Sequence, residues 1–396
     1  IGNSAFAGCA KLTNIMLPDS ITSVGASAFS RCSSLTEINI PNSVTTIGKS
    51  AFSDCAKLTN ITIPASVTSI TEAAFSGCGD LMNIIYMGKL KDWCKINGLI
   101  NLMPYGTKNR TLTVDGKEIT GDFIIPESVT IIGGYTFARC NKLTSIIIPD
   151  SVVSIGYSAF TDCSSLTEIE IPNSVISIGT SAFSDCTKLT NITIPASVTS
   201  IGDLAFSGCT KLSNIRIPDS VIVLGNSAFS GCSDLTEIEI LYGVTSIGDS
   251  AFAGCTKLTN IIIPASVTKI AEDYYHYNNT FGCFSDCISL ENIIIEGSIS
   301  TLDHKTFYNC INLKEVKIVD VHNIYTSAFN GCSNLKVLLY TDTPPSITTS
   351  GNSQFPSSCR FYVPDESIDR YKKATRWSDY ASQIYPLSAY KDKLLL

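Results

Sequence analysis

Glu168 with Glu170 and Glu237 with Glu239 are the side chains in this sequence best spaced for acid–base chemistry. Residues i and i+2 of a strand share a face about 6–7 Å apart, close to the separation used in two-carboxylate glycoside hydrolysis. Sixteen cysteines add candidate nucleophiles, disulfides or metal ligands. The three histidines, His276, His304 and His322, fall in no His-Glu-x-x-His or similar zinc spacing. Cys283 and Cys287 lie four apart with His276 nearby, which is at best part of a metal site. Gly48-Lys49-Ser50 ends like a phosphate-binding loop, yet Ser43 stands where that loop needs its first glycine. No Gly-x-Ser-x-Gly elbow occurs.

Most of these residues sit inside a repeat, and the repeat explains them. Thirteen phenylalanines are followed three residues later by a cysteine: Cys9, Cys32, Cys55, Cys78, Cys140, Cys163, Cys186, Cys209, Cys232, Cys255, Cys287, Cys310 and Cys332. Most neighbours in that series are 23 residues apart, the mark of a solenoid in which one short unit stacks on the next. In Leu166-Thr167-Glu168-Ile169-Glu170-Ile171-Pro172 the Ile-Glu-Ile alternation predicts a strand with one buried face, ended by proline. A second short extended segment follows over Ser174–Ile178, with Val175 and Ile178 inward. Gly179 comes next and recurs as Gly25, Gly48, Gly133, Gly156, Gly202, Gly225 and Gly248, which predicts φ > 0 there, with Thr71 and Ala271 as exceptions. Ser181–Cys186 predicts one helical or 3₁₀ turn that faces Phe183 and Cys186 inward. Each coil thus carries a strand on one side and a tight turn opposite, and the stacked strands form a parallel sheet with a concave outer face. On this reading the glutamate pairs are a solvated acidic face. The thirteen ladder cysteines are buried, reduced, small hydrophobes, with Cys94, Cys283 and Cys359 off the ladder.

The pattern C-x-x-L-T-x-I-x-I-P-x-S-V-T-x-I-G-x-x-A-F resembles the BspA-like, or Treponema-type, leucine-rich repeat of bacterial surface proteins. The resemblance covers most of the chain and implies a right-handed leucine-rich repeat solenoid at the extracellular bacterial cell surface. It also implies adhesion to host matrix proteins such as fibronectin and fibrinogen, or to other microbes, and it brings no catalytic residue.

The expected organisation is leucine-rich repeats over 1–88 and an insertion with a helical turn and a β-hairpin over 89–122. Repeats resume over 123–345 with a loop insertion near 271–283, and a degenerate last repeat with a helical cap fills 346–396. Asp365 is read as the N-cap of a helix over 366–374, with Ser378 capping a stretch to Ile384. The chain opens at Ile1 in mid-repeat, which reads as a piece of a longer protein. A net charge of −7 with scattered lysines and arginines argues against nucleic acid, and no apolar run reaches the ~20 residues that cross a bilayer.

The function read from these features is non-enzymatic binding by a monomer, with no cofactor and no metal. The partner is a host extracellular-matrix protein or another microbial surface protein. The alternatives are a carbohydrate- or peptidoglycan-binding module and a structural spacer of a larger surface protein. A discriminating site must use what is not repeated. The first candidate is therefore Tyr274, Tyr275, His276 and Tyr277, beside Glu237 and Glu239. The second is the concave strand face around Glu168, Glu170, Asn191, Asn214 and Arg216.

Overall fold

The computed structural model describes residues 1–102, 110–271, 282–349, 351 and 353–390. Two compact units divide the chain, one made of residues 1–175 with 185–187 and the other of 176–184 with 188–396. Both are parallel-strand solenoids.

In the first unit the strands Glu37–Asn39, Asn60–Ile63, Asn83–Tyr86 and Thr111–Val114 pair in parallel and in register, 23 residues apart in the first two steps. The segment 89–122 supplies the helix Leu90–Trp93 and a hairpin between Thr111–Val114 and Lys117–Glu118. The hairpin turns through Asp115 and Gly116 at φ 51° and 74°, the two left-handed residues of a type I′ turn. Trp93 is fully buried and donates its indole N–H to the Thr136 carbonyl at 3.0 Å, so the insertion is packed into the stack. Gly121–Ile124 then pairs with Leu143–Ile147 and re-enters the repeat.

The second unit has one sheet of two-residue strands, from Ser177–Ile178 through Ser200–Ile201, Val223–Leu224 and Ser246–Ile247 to Lys269–Ile270. Its longer strands include Asn214–Ile217 paired with Glu237–Ile240, and a second run that starts at Asn260–Ile263. Proline decides their length. In most coils it follows the strand and, lacking an N–H, breaks the ladder. At the same place Glu296 and Val319 replace it, and the strands Asn292–Leu302 and Glu315–Tyr325 run unbroken for 11 residues each. Leu241 also replaces the proline, but Tyr242 and Gly243 turn the chain there and the strand stops at Ile240.

Between the two strands of each coil and the turn lies an apolar core. Within one coil Leu212, Ile217, Val221, Leu224, Ala228, Phe229 and Cys232 are all 0% exposed, and Ile215 is 4% exposed. Phenylalanines of successive coils stack face to face, as Phe206 on Phe229 at 5.3 Å and 7°. The turn itself is a run of i→i+3 hydrogen bonds, such as Ala228 to Gly225 and Cys232 to Phe229, and at Thr326–Phe329 it becomes a regular 3₁₀ helix.

The repeated glycine has a different reason from the one expected. Gly25, Gly48, Gly133, Gly156, Gly202, Gly225 and Gly248 are not at positive φ. A Cβ on Gly225 would lie 2.4 Å from Asp203 N and 2.5 Å from Gly202 C, backbone of the preceding coil. The glycine is needed for close approach of one coil to the next. The left-handed residues sit elsewhere. One is two places after the glycine, as Ser181, Ser227 and Ser250. The other is immediately before the cysteine, at all thirteen ladder positions from Gly8 to Gly331. That second place holds glycine, aspartate or asparagine in eleven coils, the residues that tolerate φ > 0, and Arg31 and Arg139 in the other two. Ala271, one of the two exceptions to the glycine, does take φ 56°.

The last coils are closed by the 3₁₀ turn Asp365–Ser367, the helix Ile368–Lys373 and the 3₁₀ segment Trp377–Gln383, before the strand Ile384–Pro386. Tyr371 and Trp377 are 0% exposed in this cap. Asp365 does not cap the helix with its side chain; its Oδ1 accepts the Ser388 N–H at 3.0 Å instead.

These two kinds of position predict opposite tolerances. Gly231→Asp places a residue already used at that turn position and should cost under about 1 kcal/mol. Gly225→Ala forces a methyl into fixed backbone and should cost about 2–3 kcal/mol or more. Urea melts of the two variants check this, and the reverse order would contradict the close-approach argument.

Candidate binding surface on the outward strand face

The cysteines come first, because reactive thiols would change the function. All sixteen are free, and fifteen are buried. Cys9 is the exception to the expected buried ladder: it is exposed. The thiols are more than fillers. Cys232 Sγ donates to the Phe206 carbonyl at 3.2 Å, and ten other ladder thiols, from Cys32 to Cys332, bond the phenylalanine carbonyl of the preceding coil in the same way at 3.0–3.3 Å. Burial pushes the thiols up from their ordinary 9.0, Cys32 to about 11 and Cys232 to about 12. A buried protonated thiol is neither nucleophile nor metal ligand. Cys283, off the ladder, is also buried and raised well above 9.0 by desolvation.

Among the described residues no three side chains of metal-binding type come together. His304 Nδ1 shares a hydrogen with Ser327 Oγ at 2.8 Å, and exposed His322 lies 3.8 Å from Asp320. His276 falls outside the described residues, as do Tyr274, Tyr275 and Tyr277.

The other candidates lie where strand alternation puts them. Glu168 and Glu170 flank buried Ile169 on an exposed strand face in the first unit, opposite Ser145 and Ile147. In the second unit Asn191 is exposed on Asn191–Thr193. The register there sets Asn214 beside Glu237 and Arg216 beside Glu239. Arg216 Nε meets Glu239 Oε2 at 2.7 Å, with both side chains more than half exposed. Such a pair is worth about 0.2–1 kcal/mol to the fold, so these groups are available to a partner at little structural cost. Both glutamate pairs stand on an open strand face, Glu168 and Glu170 beside Ser145 and Ile147, and Glu237 and Glu239 beside Asn214 and Arg216.

One part of this outward face escaped the sequence reading. Glu315 and Lys317, two apart on Glu315–Tyr325, form a 3.2 Å ion pair whose side chains are only 14% and 7% exposed. Their register partners lead across Leu338 and Tyr362, both buried, to Tyr385. Val316-Lys317-Ile318 reads locally like any other outward–inward alternation. The residue that covers the pair, Tyr390, comes 75 residues later, and nothing local announces it.

Parallel strands of period near 23, one inward face and a closed phenylalanine ladder define a leucine-rich repeat solenoid. The sequence matches the BspA type leucine rich repeat region over residues 1–95, 116–169, 153–281 and 280–363, and the chain belongs to that family. No curated protein shows significant similarity to it. Solved structures similar to it include a leucine-rich repeat protein from Bacteroides ovatus, at 26% identity and TM-score 0.46, covering 89% of this chain and 92% of that one. Another is a leucine rich cell surface protein from Faecalibacterium prausnitzii, at 25% identity and TM-score 0.45, covering 86% of each chain. A third is a leucine-rich repeat protein from Eubacterium ventriosum, at 22% identity and TM-score 0.49, covering 76% of this chain and 83% of that one.

The thiol ladder makes two measurable statements. In native buffer at pH 8 a thiol reagent should modify about one cysteine, Cys9, and in denaturant all sixteen. Folded values of about 11 to 12 against an unfolded 9.0 mean that the folded chain holds these protons more tightly. Their stabilisation is therefore complete below about pH 9 and lost as pH rises toward 12. The melting temperature should stay flat to about pH 8 and fall steeply above 9, and rapid modification of several native thiols would contradict the packing.

Proposed function

We propose that this chain is a non-enzymatic protein of the bacterial cell surface that binds another macromolecule through the outward face of its longer strands. The partner class is a protein, either of the host extracellular matrix or of another microbe's surface. The observation that carries the reading is the division of labour within the coil. Inward positions are fully buried and near-identical from coil to coil, whereas outward positions are exposed and vary: Asn191, then Asn214 and Arg216, then Glu237 and Glu239. Solenoids commonly present such a surface to partners. The row in the second unit carries acidic groups with one arginine, which suits a basic or amide-rich protein surface better than a phosphate backbone. The family membership and the surface character stated for the Faecalibacterium protein support the location. Tyr274, Tyr275 and Tyr277 remain part of the proposal on sequence grounds alone, as candidate aromatic anchors.

The test is an array of matrix proteins, including fibronectin and fibrinogen, set beside an array of bacterial glycans. The expected outcome is saturable binding to a protein. Glu237→Lys with Glu239→Lys should weaken it at least tenfold, about 1.4 kcal/mol, with an unchanged melting temperature. Binding to glycans alone would favour a carbohydrate-binding module. Protein binding indifferent to the double charge reversal would remove this strand row from the site.

A further inference from the structure

On strands such as Asn214–Ile217 and Glu237–Ile240 the outward face meets solvent, but around Glu315, Lys317, Lys336, Leu338 and Tyr362 it is covered by the chain itself. After the strand Ile384–Pro386 the chain turns through Leu387–Ala389, and Asp365 Oδ1 holds the Ser388 N–H at 3.0 Å. Tyr390 then lies on the sheet. Its hydroxyl donates to Glu315 Oε2, while Glu315 Oε1 holds Lys317 at 3.2 Å. The Lys336 ammonium stands 5.0 Å from the centre of the Tyr390 ring, and the Tyr362 ring meets it edge-on at 5.1 Å. A carboxylate for the phenol, a cation over the ring and an aromatic wall together make a receptor for one tyrosine side chain.

End-capping does not account for this contact. The core of the last coils is closed by Tyr371 and Trp377, both 0% exposed, with hydroxyl and indole bonded to the Thr341 and Pro345 carbonyls. Tyr390 covers the opposite, outward face. A desolvated ion pair such as Glu315–Lys317 adds little net stability, and apolar residues would cover a sheet face more cheaply. What a fixed polar receptor adds is selectivity for its occupant.

We propose that Glu315, Lys317, Lys336 and Tyr362 form a binding site for a tyrosine on an extended polypeptide segment, and that Tyr390 is its exchangeable resident. A partner's tyrosine-bearing segment takes the place of Tyr390 on the same sheet. The inference rests on the reading of the outward strand face as the binding surface, and it assigns that surface a specific anchor and a built-in competitor.

The test uses the full chain and a synthetic peptide of its residues 387–396, Leu-Ser-Ala-Tyr-Lys-Asp-Lys-Leu-Leu-Leu. Tyr390→Ala should bind this peptide at least tenfold more tightly than the unaltered chain does. The peptide with its tyrosine replaced by alanine should lose that gain, and adding Glu315→Gln to Tyr390→Ala should weaken binding at least threefold. Tyr390→Phe keeps the ring and loses only the hydrogen bond. It should fold as the unaltered chain does and bind the peptide with intermediate strength, so the proposal stays testable if Tyr390→Ala does not fold. A folded Tyr390→Ala or Tyr390→Phe chain that gains no tyrosine-dependent binding overturns the exchange. In that case, if protein binding sensitive to Glu237 and Glu239 persists, the proposed function survives without it. Peptide exchange without any such protein binding would leave this site and remove the proposed partner class.

Discussion

A buried carbonyl at a tight turn has two lone pairs to satisfy, and the way this chain does so sets the period of the whole solenoid. The Phe206 carbonyl accepts the Cys209 N–H of its own coil at 3.2 Å and the Cys232 thiol of the next coil at 3.2 Å. Alanine or valine would fill part of the same volume but offer no donor. Serine would offer the donor but little apolar surface. Cysteine is small, apolar and a weak donor, which fits a position 0% exposed and surrounded by phenylalanine rings. Because the bond reaches back 26 residues in nine of the eleven cases, neighbouring coils must keep their register. Nine extra residues precede Cys287 in the sequence, and its thiol still reaches Phe252 at 3.1 Å.

The remaining regularities follow from that spacing. Coils held this closely leave no room for a Cβ where the backbone of one passes the next, hence the glycine at Gly225 and its equivalents. The turn must reverse within a few residues, hence the left-handed residue before each cysteine. Each of these demands falls on inward or turn positions. The outward strand positions carry no such demand, and they are the ones that vary from Asn214 and Arg216 to Glu237 and Glu239.

Much of this was legible in the sequence because repetition acts as its own control. The Ile-x-Ile alternation placed Ile238 and Ile240 inward and Glu237 and Glu239 outward, as the strand Glu237–Ile240 has them. Repetition misled where two physical causes ask for the same residue. Glycine serves both positive φ and close approach, and the sequence alone does not separate them; the aspartates at Asp54, Asp162 and Asp185 were the better sign of a left-handed backbone. Contacts across long separations were not legible at all. Glu315 looks like any outward glutamate until Tyr390 is folded over it. Proline shows the middle case: its loss at Glu296 and Val319 announces longer strands, and the loss at Leu241 does not deliver one.

The central claim is that the ladder thiol stabilises the stack as a donor as well as by packing. Cys232 and Cys359 are both 0% exposed, but only Cys232 bonds a phenylalanine carbonyl. Denaturant unfolding of Cys232→Ala and Cys359→Ala compares them directly. The account predicts that Cys232→Ala costs about 0.5–1.5 kcal/mol more, the worth of one net hydrogen bond. Equal costs at the two positions would reduce the ladder to packing and contradict it.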